Sequence, residues 1–165
     1  MATEKQMEFF KLLYDSESER TEFLRATAKT YLTLSAFYSA FVIFVAEKLR
    51  PVYLSSKLLF GGAVLSMITS FLLSLWVIQV ARFVALTHPQ LIFDQYGARP
   101  PSDSEFFDNR ITDFSVAYIA NSKVNDRKAM VLAVGGWALL AGLLLHALFF
   151  LDWLCDAGGF NALKS

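Results

Sequence analysis

Cysteine is almost missing from this sequence. A single residue, Cys155, in a chain of 165 excludes an internal disulfide framework and a multi-cysteine metal cluster. Charge is sparse as well, at 18% of residues where soluble domains average about a quarter. Neither sign is in excess: fifteen Lys/Arg balance fifteen Asp/Glu, so no bulk charge points to nucleic acid or to an acidic partner. The motifs of bond-making chemistry are absent too. There is no Gly-rich phosphate loop, no nucleophile elbow and no carboxylate pair clustered in an apolar segment, and no His/Cys/Asp/Glu set has metal-ligand spacing. Arg82 and His88 have the Arg–five residues–His spacing of some ribonucleases, but without the usual polar residue after the arginine. Neither an enzyme nor a cofactor is expected.

What the sequence does have is apolar residues, 55% of the chain, gathered in three runs. Residues 30–49 open with TYLTLSAFYSAFVIFVA and carry no charge before Glu47; residues 58–78 are uncharged; residues 129–151 hold one ionisable side chain, His146. A bilayer core of about 30 Å needs about 20 helical residues. The expected fold is therefore an all-α integral membrane protein with three transmembrane helices, 30–49, 58–86 and 129–154, and helical cytoplasmic extensions over 1–29 and 87–128. An outer loop, 50–57, and a tail, 155–165, complete this division. The segment before residue 30 is charged and acid-rich, so the first run reads as a retained anchor and not as a cleaved signal peptide. Five basic residues precede the first run and six lie between the second and third, against four elsewhere; the positive-inside bias predicts a cytoplasmic N-terminus and an external C-terminus, as in a bacterial inner membrane.

Outside the runs, Met7 to Tyr14 predicts a short helix, and the acidic stretch Asp15–Glu19 predicts a break, with Ser16 and Glu19 as a capping box for a second helix. Ser102 and Glu105 form another such box after the Pro100–Pro101 pair. Beyond it Phe107, Ile111, Phe114, Tyr118, Asn121 and Asn125 recur at steps of three and four, an amphipathic stripe at near-heptad period. With nothing to break it, one helix is expected from Asp103 to Leu151. The two asparagines either fix helix register or form a collar at an inner vestibule. Arg82, Lys123, Arg127 and Lys128 read as membrane-surface anchors.

The runs also carry small residues at helical spacing: Gly62, Ser66, Ser70 and Ser74 in the second, with Thr69 beside them, and Gly135, Ala138 and Gly142 leading to His146 in the third. Such ridges let helix backbones approach closely in lipid or offer hydroxyls to a water-filled path, and an ionisable residue inside a span marks a functional candidate. In layout, with three runs in 165 residues, the 103–128 helix entering the third and the Arg82/His88 pair, the chain resembles small multi-pass membrane effectors of bacterial antiphage and CRISPR-associated defence systems. That resemblance implies a non-enzymatic, oligomerising protein that compromises the envelope. Two functions are thus expected in turn: a homo-oligomeric pore or membrane-perturbing effector, or a membrane-anchored adaptor that recruits a cytoplasmic protein partner. Lipid bilayer and further copies of the chain are the expected partners.

Overall fold

A computed structural model describes residues 3–46, 54–79, 83–86, 91, 94, 96–97 and 101–155. Among these the regular structure is entirely helical, in three long elements: α1 (Glu4–Ala46), α2 (Leu54–Gln79) and α3 (Asp103–Cys155). Arg82, His88, the outer loop up to residue 53, the end of the first apolar run past Ala46 and the tail from 156 lie outside the described residues.

The helix starts follow local chemistry. At α1 the Thr3 N–H donates to Gln6 Oε1 at 3.0 Å and the Gln6 N–H to Thr3 Oγ1 at 3.4 Å, a reciprocal capping box that satisfies otherwise orphaned donors. At α3 the Glu105 N–H donates to Ser102 Oγ at 3.3 Å, as the serine–glutamate spacing predicts. The expected break at Asp15–Glu19 is not there. Helix α1 runs straight through it, and Ser16 Oγ donates back to the Leu13 carbonyl at 2.7 Å. Packing decides this: Glu17 and Thr21 are buried and hydrogen-bonded to a neighbouring helix, which holds the acidic segment helical despite its composition.

Two helices, α2 and α3, are long and apolar enough to cross a membrane. Among the described residues the first expected span, 30–49, is not a third such helix. Within the described residues its apolar part ends at Ala46, and Thr30, Tyr31, Thr33, Ser35, Tyr38 and Ser39 dilute its hydropathy. The second differs in its bounds. Helix α2 begins at Leu54 and ends at Gln79, and Phe83–Leu86 is not helical. There the backbone of Val84 gives its N–H to Asn121 Oδ1 at 2.8 Å and its carbonyl to Asn121 Nδ2 at 3.2 Å, using on a side chain the two groups a helix would use internally.

The chain forms two compact units, one of Met1–Leu24 with Ala81–Ala129 and one of Arg25–Val80 with Met130–Ser165. In both, the buried residues step by three and four. On α3 they are Ala117, Asn121, Asn125 and Lys128 in the first unit, and Leu132, Gly135, Leu139, Gly142, His146 and Phe149 in the second. Helix α1 buries Glu17, Thr21 and Leu24 in the first unit, and Ala28, Ser35 and Val42 in the second. Helix α2 buries Ser56, Ala63, Met67, Ser70, Ser74 and Val77. A period near 3.5 is the signature of left-handed, knobs-into-holes packing.

Candidate functional site

The interior of the first unit holds a hydrogen-bonded polar cluster. The carboxylate of Glu17 and the side chains of Thr21 and Asn125 are all buried. Asn125 Nδ2 donates to Glu17 Oε2 at 2.7 Å and to the Glu17 carbonyl at 2.9 Å. Thr21 Oγ1 lies 3.0 Å from Asn125 Oδ1 and 2.9 Å from the Glu17 carbonyl, so its single proton serves either acceptor. Arg20 closes the edge, 3.4 Å from Glu17 Oε1 and 2.8 Å from Asp126 Oδ1. Its hydrogen bond to Asp126 raises the guanidinium pKa further above neutrality, although an exposed pair of this kind adds little stability. Tyr14 stacks between Phe83 and Phe114 at centroid distances of 5.4 and 5.8 Å. The predicted stripe thus packs inward: Phe107, Ile111, Phe114 and Tyr118 are half-buried, Asn121 and Asn125 buried. Both asparagines are held by named partners, as register-fixing requires. Of the expected anchors, Lys123 and Arg127 are exposed, but Lys128 is completely buried, because it falls on the packed heptad position between Asn125 and Leu132.

The second unit is built differently. Its interior mixes apolar side chains, among them Met67, Val77, Leu132, Leu139 and Phe149, with buried polar ones, and its exterior is strongly apolar. Phe37, Leu58, Leu65, Trp137 and Leu144 point outward, Phe37 at 78% exposure, and only 22% and 28% of the apolar windows of α2 and α3 are buried. Inside, Ser35, Ser70, Ser74 and His146 are at most 2% exposed. The hydroxyls of the three serines and both ring nitrogens of His146 have no hydrogen-bond partner among the described residues. The Gly142 carbonyl, one turn before His146 on the same helix, lies near the ring but outside hydrogen-bond geometry. Other helical hydroxyls of the chain do find an acceptor one turn back: Thr30, Ser39, Thr69 and Thr112 each donate to the carbonyl four residues earlier, at 2.7 to 3.1 Å.

Contacts order these groups along the unit. An added Cβ on Gly135 would lie 3.9 Å from Ser74 Oγ and 3.8 Å from the Ser70 carbonyl; on Gly136 it would meet the Tyr31 hydroxyl at 2.9 Å; on Gly142, Met67 and the Ala63 carbonyl at 3.0 and 3.2 Å. His146 sits against Tyr38 at 4.9 Å and Phe60 at 5.6 Å, both edge-on, and Phe60 touches Phe149 at 5.4 Å. At the last level Ser56 Oγ donates to Asp152 Oδ2 at 2.5 Å. Helix α2 therefore runs antiparallel to α3, and α1 parallel to it. Ser35, midway between Tyr31 and Tyr38, falls between the Gly136 and His146 levels.

The structure brings together Ser70, Ser74, Gly135, Gly142 and His146 of the predicted residues. It leaves Gly62 and Ser66 half-buried, and Thr69 exposed and bonded to its own helix. The reason is geometric. Steps of exactly four drift about 40° each around a helix of 3.6 residues per turn, so a strict four-residue ridge leaves the packed face that alternating steps of three and four keep. Reading the sequence by ridges missed Tyr38, Phe60, Ser56, Asp152, Glu17 and Thr21; the alternating spacing carried through the acidic patch would have found the α1 members. No metal-holding group of acidic, histidine or cysteine side chains occurs among the described residues. No protein-family model, curated protein or solved structure matches the chain.

Proposed function

We propose that this chain is an integral membrane protein that permeabilises the bilayer as a homo-oligomeric pore or membrane-perturbing effector, in the manner of bacterial defence effectors. The observation that carries this reading is the pairing, in the second unit, of large apolar side chains left exposed with unpartnered hydroxyls and an imidazole buried in the interior. Water disfavours such an exterior, since transferring an exposed phenylalanine to an apolar medium is worth about 2–3 kcal/mol. Lipid favours it. In hydrocarbon, polar side chains face protein or a hydrated cavity, and a line of them without mutual bonds is suited to admit water.

On this reading α2 and the second-unit part of α3 cross the membrane, and the end of α1 crosses beside them. It packs on α3 through Tyr31 and Tyr38 and turns Phe37, Phe41, Ile43 and Phe44 outward. The basic residues favour a cytoplasmic N-terminus and first unit. Reconstitution tests the function: the full chain in liposomes passes a permeant and runs as a defined multimer in native mass measurement. A monomer that passes nothing refutes it.

A second reading, a membrane-anchored adaptor, is favoured by exposed apolar side chains on the first unit, among them Phe9, Leu12, Phe23, Val116 and Ile119. Exchanging the apolar helices for an unrelated anchor separates the two: an adaptor keeps its cellular activity and a pore loses it.

A further inference from the structure

The second unit holds polar groups that can both give and take a hydrogen bond at successive levels: Ser70 and Ser74 beside Gly135, Ser35 near the middle, His146, then Ser56 with Asp152. Along α3, residues 135 to 152 span about 25 Å at 1.5 Å per residue, close to the hydrocarbon thickness of about 30 Å. The three intervals average about 8–9 Å by the same rise. Two waters joined by hydrogen bonds of about 2.8 Å fill such a gap. Met67, Leu139, Val42 and Phe149 are buried in the same unit, so a hydrated ion would have to displace several packed apolar side chains, whereas a proton needs only a single file of waters between the polar groups.

From this we infer that the permeant is the proton, relayed through this line within each chain; the inference rests on the reading of the second unit as a membrane-crossing path. In the second unit the three serines and His146 are the buried groups with no hydrogen-bond partner among the described residues, whereas four other helical hydroxyls bond to their own helix. A histidine that merely packs needs at least one nitrogen satisfied. A relay needs both open, one to each side. In the step, a hydronium on one side gives its extra proton to the unprotonated ring nitrogen and is left as water, and the other nitrogen releases its proton to a water on the far side, which becomes the hydronium. The ring ends as the opposite tautomer, and rotation about its bond to Cβ resets it. One proton has moved and nothing else has changed. Tyr38 from α1 and Phe60 from α2 pack the ring edge-on, and among the contacts described neither brings a charge that would trap the imidazolium.

The test uses the full chain in liposomes containing a pH-sensitive dye, with a potassium gradient and valinomycin to set the potential; potassium flux without valinomycin and carboxyfluorescein release are followed in parallel. Expected is potential-driven proton entry without potassium or carboxyfluorescein movement. His146→Gln should lower it about a hundredfold, the low end of what a positioned proton-transfer group contributes. Added imidazole should restore flux to His146→Ala. Hydrogen exchange over α2, unchanged in His146→Gln, shows that the variant is folded; should it not fold, the Asp152→Asn variant, expected to slow the same flux, takes its place. Full proton flux in His146→Gln overturns the relay. Passage of potassium or carboxyfluorescein by the wild type overturns the proton as permeant and leaves the pore standing. No flux of any kind overturns both.

Discussion

Removing Asn125 should loosen the first unit more than any other single truncation there. In Asn125→Ala three interactions go: Nδ2 to Glu17 Oε2 at 2.7 Å, Nδ2 to the Glu17 carbonyl at 2.9 Å, and Oδ1 from Thr21 at 3.0 Å. The bond to the carboxylate is worth about 1.5–3 kcal/mol and the one to the carbonyl about 1 kcal/mol, while Thr21 keeps the Glu17 carbonyl as its acceptor. Glu17 stays buried with Arg20 alone, at 3.4 Å. The expected loss is about 3 kcal/mol, or a rise of roughly a hundredfold in local opening. Hydrogen exchange of the full chain in detergent reads it directly, in peptides covering residues 10–24 and 117–129. A double-mutant cycle with Glu17→Ala isolates the charged bond, with an expected coupling of about 1.5–3 kcal/mol. A coupling under about 0.5 kcal/mol, the usual additivity limit, would mean that the buried amide and carboxylate do not hold each other, and the account of why α1 continues through its acidic patch would fall.

Three further outcomes are expected. Gly142→Leu drives a side chain into Met67 and the Ala63 carbonyl and should cost about 1–3 kcal/mol in detergent thermal unfolding, while Gly61→Leu, which has nothing within 4 Å, should cost far less. Equal costs would refute the close α2–α3 approach. Asn121→Ala strips both partners from the Val84 backbone and should speed exchange of that amide about tenfold or more, from a loss of about 1.5 kcal/mol per unmade bond; unchanged exchange refutes the clamp. Because the Arg20 pKa is raised by its bond to Asp126, what the pair contributes at neutral pH persists up to the unfolded arginine pKa and is lost as pH rises through the raised one. Arg20→Ala and wild type should therefore differ by the same stability from neutral pH to the alkaline limit of the experiment, and a difference that fades between pH 7 and 10 would refute the pairing.

Much of this fold was legible in the sequence. The Ser102–Glu105 cap, the uninterrupted helix from Asp103 and the inward stripe from Phe107 to Asn125 rest on local spacing, and local spacing is what a sequence displays. The acidic patch misled because propensity and capping argue for a break at Ser16, while the burial of Glu17 and Thr21 is paid for by Asn125, more than a hundred residues away. Lys128 misled for a related reason: its charge suggested a surface, its register a packed face, and register won. Among the candidate site residues, Ser70, Ser74, Gly135, Gly142 and His146 were found by their small size or rarity. Their convergence with Tyr38 and Phe60 depends on how three helices align, which no window of sequence contains.

The clamp of Asn121 on Val84 has a consequence for how this connector can vary. An amide that grips another residue's peptide group reads no side chain at all. Position 84 should therefore accept nearly any amino acid, with proline the exception because it has no N–H to offer. At 121 the tolerance inverts: an amide is both giver and taker, and aspartate, leucine or serine in its place cannot match both halves of a peptide at once. A saturation library over the two positions should return near-neutral scores across one and a narrow set at the other.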